Sequence, residues 1–298
     1  LHPRLGTDVA LLNGMIRQIF KDGLVDEAFI EQRVDRGNLA LGELEALVEK
    51  YTPEAVEEIT NVPADKFISA ARMYAGAPTA MIATGMGMSQ QITGTNNVFA
   101  LINMMLVTGQ IGRELCGIAP PRGQNNVQGA TDVGCSPILY PGYIPASDVE
   151  NRLRIAALWR LPFDDLPAEP GLSTVEIMHA AHDGEVRGLY VMGENPLVTD
   201  PNLNHTRQAI ENLEFLVVQD IFETETTRFA DIVLPAASFA EKDGTFVNSD
   251  RRVLRVRKAV ESPGEAREDW KILTALAETM GVELGTYNSA KEIFDEIS

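Results

Sequence analysis

Between residues 187 and 238, short apolar runs alternate with helical patterns, and this alternation constrains the fold more than any other feature of the sequence. The runs RGLYVMG, EFLVVQD and DIVLPA predict strands, and the segments NLNHTRQAIEN and TETTRFA between them predict a helix and a short helix. Such a βαβαβ order predicts parallel strands joined by right-handed crossovers. We therefore expect a doubly wound α/β lobe whose ligand crevice lies at the carboxyl ends of the strands.

A second strand-turn-helix unit is predicted earlier in the chain. An apolar run at residues 79–84 ends in the glycine-rich turn GMGMSQ, and TGTNNVFALINMMLVTG follows as a helix closed by Gly109. An amphipathic helix with Thr7 as its N-cap precedes both. We expect an α/β fold of parallel sheets with flanking helices and two Rossmann-like lobes, incomplete as a fragment. The first lobe would span 1–122 and the second 123–238, with a truncated connecting segment and helices at 239–298.

The charge of the chain excludes one class of partner. With 25 Lys and Arg against 43 Asp and Glu, the net charge of -18 repels a phosphate backbone, so we expect no nucleic-acid partner. No apolar run is long enough to span a bilayer, and we expect no membrane insertion. The two cysteines lack metal-ligand spacing, which predicts no metal site within the chain and a reducing, cytoplasmic setting.

Both ends of the chain predict that it is part of something longer. Residue 1 is Leu, no signal segment follows it, and the helical pattern SAKEIFDEIS at the other end stops without a cap. We therefore expect a piece of a longer or processed polypeptide. Sheet edges left open in such a piece would favour self-association.

Three polar patches follow the predicted strands, where a doubly wound fold binds its ligand. GMGMSQ follows the first strand, GENPLVTD follows the strand at 188–192, and QDIFETET follows the strand at 214–218. Backbone N–H groups of glycines and hydroxyls of Ser or Thr can hold a nucleotide there, or the glycines can serve only tight turns. Gln90 stands where GxGxxG has its third glycine, which argues against a nicotinamide cofactor.

Asp220 and Asp269 each have two interpretations. A carboxylate can accept hydrogen bonds from the adjacent N–H donors of guanine, which adenine does not present in that pattern. Alternatively, Asp220 caps the turn that follows it, and Asp269 caps the helix that begins near DWKILTAL. The residues themselves leave both interpretations open.

The stretch PPRGQNNVQGATDVG places Arg122 between prolines and a run of glycines and amides. The forked guanidinium group of an arginine can bond both oxygens of a carboxylate. The amides of Gln124, Asn125, Asn126 and Gln128 can satisfy one another or polar atoms of a cofactor. The alternative is a surface loop in which Arg122 forms an ordinary ion pair.

A set of motifs, taken in order, resembles the catalytic subunits of molybdopterin-dependent formate dehydrogenases. They are RGQNNVQG with PGY after it, GMGMSQ, GEVRGLYVMGENPLVTDPN, VVQDIFETETTRFADIVLPAASFAEKDGTFVNSDRRVLRVRKAV and EDWKILTALAETMG. The resemblance runs across essentially the whole chain and implies that Arg122 orients formate. It also implies three sets of cofactor contacts: Met86 and Gln90 in the GMGMSQ turn, Gly123 and Gln124 beside the pterin, and Gly193, Asn195, Thr199, Gln219, Asp220 and Asp269 along guanine dinucleotide arms.

The resemblance further implies what the parent subunit does. Molybdenum or tungsten on two molybdopterin guanine dinucleotides would oxidise formate to carbon dioxide and pass two electrons to a 4Fe-4S cluster. The cluster ligands and the family's Cys or selenocysteine metal ligand are not in this sequence, so the implied partners are formate, the remainder of the catalytic subunit and electron-transfer subunits. We expect no turnover by this chain alone. Two alternatives stay open: a structural relative that binds no pterin, such as the large iron-sulfur subunit of complex I, and a nitrate reductase.

Overall fold

The structure, a computed structural model, describes residues 1–282 and 284–298. The chain divides into two compact units, Leu1–Gln124 and Asn125–Ser298. The three-part division expected from the sequence, with its separate segment at 239–298, stays a prediction. None of the helices formed by the described residues is long and apolar enough to cross a membrane.

The first unit is mainly helical and contains one pair of strands. Its elements are α1 (Asp8–Lys21), α2 (Glu27–Arg33), α3 (Gly37–Val48), α4 (Pro53–Thr60), α5 (Ala64–Ala75), β1 (Met81–Ala83), α6 (Met86–Ser89), α7 (Gly94–Val107) and β2 (Gly117–Ala119). Ile16 of α1 is fully buried in one cluster with Val56 of α4 and Phe67 of α5. The predicted helix is thus confirmed. Thr7 occupies the N-cap position, but its side chain accepts no capping hydrogen bond, and its hydroxyl donates to the carbonyl of Arg4 (2.7 Å).

The predicted strand-turn-helix unit is present in the first unit. β1 pairs in parallel with β2, and Ile82 lies opposite Ile118. α6 is a single turn directly after β1, and α7 ends before Gly109, whose φ of +63° is a left-handed conformation that favours glycine. Because the two strands are parallel, their carboxyl ends and the loops that follow lie at the same edge.

The second unit carries most of the strands. Its helices are α8 (Val127–Asp132), α9 (Val149–Trp159), α10 (Thr174–His182), α11 (Pro196–Thr199), α12 (Leu203–Glu211), α13 (Asp269–Thr279) and α14 (Ala290–Ile297), with short 3₁₀ helices at Phe163–Asp165, Thr226–Phe229 and Phe239–Glu241. Its strands are β3 (Leu139–Tyr140), β4 (Ile144–Pro145), β5 (Gly188–Met192), β6 (Phe215–Asp220), β7 (Ile232–Pro235), β8 (Gly244–Val247) and β9 (Val253–Val256). The pairs β3–β4 and β8–β9 are antiparallel.

β5, β6 and β7 form the parallel sheet that the βαβαβ pattern predicts, with β6 in the centre. Val191 of β5 and Val218 of β6 are buried in one cluster with Ile210 of α12. A neighbouring cluster joins α10 to α12 through Ala181 and Ala209. Parallel sheets with helices packed on them confirm the predicted α/β fold class.

The end of β7 positions the start of α13. Arg267 forms an isolated parallel bridge with Ala236, its N–H donates to the carbonyl of Pro235 (3.1 Å), and its carbonyl accepts from Ala237 (2.7 Å). The chain therefore runs beside the carboxyl end of β7 immediately before Asp269 begins α13.

β7 is also an edge of this sheet, since it pairs with β6 on one side. Ile232 and Val233 on this strand are 44% and 48% exposed. An apolar edge strand is a surface on which another chain can pair. The self-association expected from the sequence stays a prediction.

Candidate functional site

The carboxyl ends of β1 and β2 bring two of the sequence-predicted segments together. Met86 begins α6 after β1, and Arg122, Gly123 and Gln124 follow β2 as exposed residues. Gly123 lies against Met86, because a Cβ built on Gly123 would be 3.4 Å from Met86 Cε. The N–H of Gln90 donates to the carbonyl of Met86 (2.7 Å) and closes the turn. Arg122 therefore lies at the carboxyl edge of a parallel strand pair, which is where α/β folds bind their ligands.

Buried polar atoms without hydrogen-bond partners surround the α6 turn. Among the described residues, five buried side-chain nitrogen or oxygen atoms have no partner, and three of them are Thr84 Oγ1, Thr93 Oγ1 and Asn97 Oδ1. Thr84 stands immediately before the turn, and Asn97 Nδ2 donates to the carbonyl of Met88 within it (2.9 Å). An unpaired buried polar group costs about 1–3 kcal/mol. A polar ligand at this turn would supply the partners that these atoms lack.

The second half of RGQNNVQG is bonded inside the second unit. Asn126 Oδ1 accepts from the N–H of Val247 in β8 (3.0 Å), and Gln128 Nε2 donates to the hydroxyl of Tyr143 (2.6 Å). A Cβ on Gly129 would be 2.3 Å from Asn126 Oδ1, so this close approach requires glycine. Tyr143, in the PGY motif, has a φ of +63°, which is uncommon for a residue other than glycine. Asn126 and Gln128 therefore have protein groups as hydrogen-bond partners.

Gly193 and Asp220 stand at the ends of β5 and β6. Gly193 has a φ of +64°, and a Cβ built on it would have no non-neighbouring atom within 4 Å, so its backbone is open to close approach. Asp220 Oδ1 accepts from the N–H groups of Ile221 (2.6 Å) and Phe222 (3.4 Å). Of the two interpretations of Asp220, capping of the following turn is the one the geometry satisfies. A contact with guanine stays a prediction.

Asn195 and Thr199 have side chains that hold the GENPLVTD segment in place. Asn195 Nδ2 donates to Glu225 Oε2 (2.8 Å), and Asn195 Oδ1 accepts from the Thr226 hydroxyl (2.7 Å). The hydrogen bond from Asn195 is also the main cause of a lowered pKa of Glu225. Thr199 donates to Glu194 Oε1 (2.5 Å). Both residues build the turn, and their predicted contacts with a dinucleotide stay predictions.

Asp269 is bonded by side chains from two other elements. Its Oδ1 accepts from Gln219 Nε2 (2.7 Å), and its Oδ2 accepts from the ammonium group of Lys242. Gln219 is fully buried at the end of β6. Glu268, rather than Asp269, occupies the N-cap position of α13, so the capping interpretation of Asp269 is wrong. The predicted guanine contacts of Gln219 and Asp269 stay predictions.

Two further members of this group were not identified from the sequence. The hydroxyl of Tyr190 in β5 donates to Gln219 Oε1 (2.5 Å), and Lys242 pairs with Asp269 across 27 residues of chain. Burial, followed by the charge of Asp269, raises the pKa of Tyr190. A tyrosine inside an apolar strand indicates that a polar side chain lies nearby, because a buried hydroxyl needs a hydrogen-bond partner. The polar sequence around Lys242 gives no comparable indication of its partner.

No metal site is formed by the residues that the structure describes. Within residues 1–282 and 284–298, no group of three or more His, Cys, Asp or Glu side chains is arranged to hold a metal ion. The rings of His179 and His182 each pack against His205, at centroid distances of 4.6 Å and 4.8 Å. Cys116 and Cys135 are free thiols.

Asp200, at the end of α11, gives a pH-dependent prediction. Burial and then the charge of Glu194 raise the pKa of Asp200 above its ordinary value of 3.8. A carboxyl group with a raised folded-state pKa stabilises the fold below its unfolded-state pKa and loses that contribution as the pH rises through the folded-state pKa. Asp200→Asn is therefore expected to raise the Tm at pH 7, on the order of 2 °C. The gain should shrink as the pH is lowered towards 3.8.

Thermal unfolding of the chain at a series of pH values tests this expectation. The matched control is Asp164→Asn, which removes an exposed carboxylate from the short helix Phe163–Asp165. An equal Tm increase in both variants would mean that the effect is one of net charge alone. A gain for Asp200→Asn that grows at acidic pH would contradict the sign of the shift.

Comparison with known proteins gives one family match over most of the chain. The sequence profile of the family described as Molybdopterin oxidoreductase matches residues 1–279. The F420-dependent formate dehydrogenase 2 subunit alpha of Methanococcus maripaludis is 44% identical over 301 residues, which cover 100% of this chain and 43% of that protein. Formate dehydrogenase H of Escherichia coli is 43% identical over 292 residues, covering 98% of this chain and 40% of that protein.

Two more distant proteins are also similar. The assimilatory nitrate reductase catalytic subunit of Bacillus subtilis is 36% identical over 293 residues, covering 98% of this chain and 41% of that protein. The solved structure of acetylene hydratase from Pelobacter acetylenicus matches with a TM-score of 0.75 at 22% identity, covering 99% of this chain and 42% of the other. At that identity the likeness concerns the fold alone. The chain spans less than half the length of each of these proteins.

Proposed function

This chain belongs to the molybdopterin oxidoreductase family, and from that premise we propose that it is a segment of the catalytic subunit of a formate dehydrogenase. The complete subunit oxidises formate to carbon dioxide, releasing one proton and two electrons, at molybdenum or tungsten carried by two molybdopterin guanine dinucleotides. The electrons leave through a 4Fe-4S cluster whose ligands lie outside this chain, towards electron-transfer subunits. The observation that carries the proposal is identity of 43–44% with formate dehydrogenases over 98–100% of the chain.

The polar groups at the strand ends fit the cofactor. At the α6 turn, three buried oxygen atoms lack partners, and the pterin edge is rich in groups that can bond them. Met86, Gln90, Gly123 and Gln124 would lie beside the pterin, and Gly193 offers open backbone to a dinucleotide arm. Asp269 offers carboxylate oxygen to a guanine base. When bound, the metal-pterin group supplies the two-electron redox chemistry, while the protein binds and orients.

Arg122 is the residue that we assign to the substrate. It follows β2 at the carboxyl edge of the strand pair and is exposed there. A guanidinium group binds a carboxylate with two parallel hydrogen bonds and so fixes its orientation as well as its position. Formate is the smallest carboxylate, and orientation is what this arginine would contribute.

Analysis of the complete catalytic subunit tests the proposed function. We expect molybdenum or tungsten, guanine nucleotide released on acid hydrolysis, and formate-dependent reduction of a viologen dye. A subunit without metal and pterin would support the structural relative of complex I instead. Reduction of nitrate without oxidation of formate would support a nitrate reductase, the activity named for the relative that is 36% identical. We also propose a reducing, cytoplasmic location, supported by the two free thiols.

A further inference from the structure

Four side chains form a continuous hydrogen-bonded row at the carboxyl end of the three-stranded sheet. The Tyr190 hydroxyl donates to Gln219 Oε1 (2.5 Å), and Gln219 Nε2 donates to Asp269 Oδ1 (2.7 Å). The ammonium group of Lys242 donates to the other oxygen of Asp269. The four residues come from β5, β6, the segment before β8 and the start of α13. The row thus fixes one carboxylate from both sides.

The direction of each hydrogen bond in this row is set by chemistry. A carboxylate oxygen only accepts hydrogen bonds, so Gln219 cannot turn its own carbonyl oxygen towards Asp269. Gln219 must then present its carbonyl oxygen to Tyr190 and its NH₂ group to Asp269. Because Gln219 is fully buried, water does not compete for either end of the amide. The amide is therefore held in one of its two orientations.

The carboxylate of Asp269 keeps accepting capacity after these bonds are made. An ionised carboxylate offers about four lone-pair positions, and Gln219 and Lys242 occupy one on each oxygen. The side chain of Asp269 is 25% exposed and that of Lys242 is 27% exposed, so the group is within reach of a ligand. A partly exposed ion pair adds little to stability. Its effect on a ligand is larger, since a fixed acceptor loses little freedom when it binds.

We propose that Lys242 and Gln219 are positioning residues that fix the Asp269 carboxylate for recognition of a guanine base. The inference rests on the proposed function, because a guanine dinucleotide is the ligand. Guanine presents a ring N–H and an adjacent NH₂ group, which match the remaining acceptor positions of a carboxylate. Hypoxanthine has the ring N–H but lacks the NH₂ group. Selection between the two bases therefore reports how well the carboxylate is held.

Calorimetric titration of the complete, cofactor-free catalytic subunit with GDP and with IDP measures this selection. We expect the wild-type subunit to bind GDP about tenfold or more tightly than IDP, as loss of one charged hydrogen bond requires. Lys242→Met should reduce the ratio towards one, and Lys242→Arg should restore most of it. A purely structural role would lower the Tm of Lys242→Met and leave the ratio unchanged.

Lys271→Met is the matched control. Lys271 pairs with Glu268 at the same end of α13, so its loss removes a neighbouring ion pair without touching Asp269. The GDP/IDP ratio should stay at the wild-type value. Should Lys242→Met fail to fold, Tyr190→Phe removes a single oxygen atom, releases the Gln219 amide from its fixed orientation, and should also lower the ratio.

The outcomes separate this inference from the proposed function. A wild-type ratio in both Lys242→Met and Tyr190→Phe, in a subunit that carries guanine dinucleotide, would overturn the positioning role alone. A wild-type subunit that yields no guanine nucleotide and binds neither GDP nor IDP would overturn both. Loss of selectivity in Lys242→Met with wild-type selectivity in Lys271→Met supports the positioning role.

Discussion

Replacement of Arg122 by lysine in the complete subunit is expected to lower kcat/KM for formate about 100-fold, chiefly through KM. Lysine keeps the positive charge but presents a single ammonium in place of two parallel N–H groups. The change thus removes one of the two hydrogen bonds that bind the carboxylate, while the positive charge stays. Hydrogen bonds to charged groups contribute about 1.5–3 kcal/mol each, so loss of one accounts for a factor of this size.

Steady-state kinetics with formate, together with metal analysis of the same preparation, checks this expectation. Metal and pterin content should equal that of the wild type, because Arg122 is assigned to the substrate. Arg33→Lys, at the end of α2, is the control for an arginine-to-lysine change in the same unit and should leave kcat/KM unchanged. Wild-type kinetics in Arg122→Lys would remove this residue from the formate site.

Gly94→Ala is expected to destabilise the fold by on the order of 3 kcal/mol, which is large for the addition of one methyl group. A Cβ at residue 94 would stand 1.9 Å from the carbonyl oxygen of Ser89 and 2.6 Å from its carbon. Both are backbone atoms of the turn that ends α6, so no side-chain rotation relieves the clash. The start of α7 would have to move away from the turn that carries Met86 and Gln90.

Gly87→Ala is the matched control for this change. Gly87 lies in α6 itself, and apart from its chain neighbours and the backbone of α6, its added Cβ would have no atom within 4 Å. Its effect on stability should stay within about 0.5 kcal/mol. Urea unfolding of the cofactor-free subunit, followed for both variants, measures the difference in midpoint. Equal midpoints would show that Ser89 does not pack against Gly94 as closely as described.

The parts of the fold that follow from periodicity were predictable. The runs around β5, β6 and β7 are apolar and short, the segments between them are helical, and parallel order follows from that alternation. The glycine-rich turn after β1 was predictable for the same reason, because a strand that feeds directly into a helix needs a tight connection. The absence of a capping bond from Thr7 was not predictable, because it depends on the backbone of Thr7, whose φ of -108° and ψ of 13° lie outside the extended region typical of an N-cap.

The location of the candidate residues at strand ends was predictable, and their hydrogen bonding was predictable only in part. Residues at strand ends could be named from sequence, but which of them face a ligand depends on contacts between distant segments. Asn195 is bonded to Glu225, and Asp269 to Gln219, across 30 and 50 residues. Local patterns carry no information about such pairs. The contact between Lys242 and Asp269 also joins distant segments, and for this reason it is visible only in the structure.

The two halves of RGQNNVQG have different roles, and this has a consequence for relatives whose activity has changed. Asn126 and Gly129 have a structural role, because Asn126 Oδ1 accepts a hydrogen bond from Val247 in β8 and a Cβ on residue 129 would clash with that oxygen. Under the proposed function, Arg122 at the start of the motif instead binds the substrate. A relative that no longer uses formate is therefore expected to change at Arg122 and to keep Asn126 and Gly129, so that the second half of RGQNNVQG alone would indicate the shared fold without the formate activity.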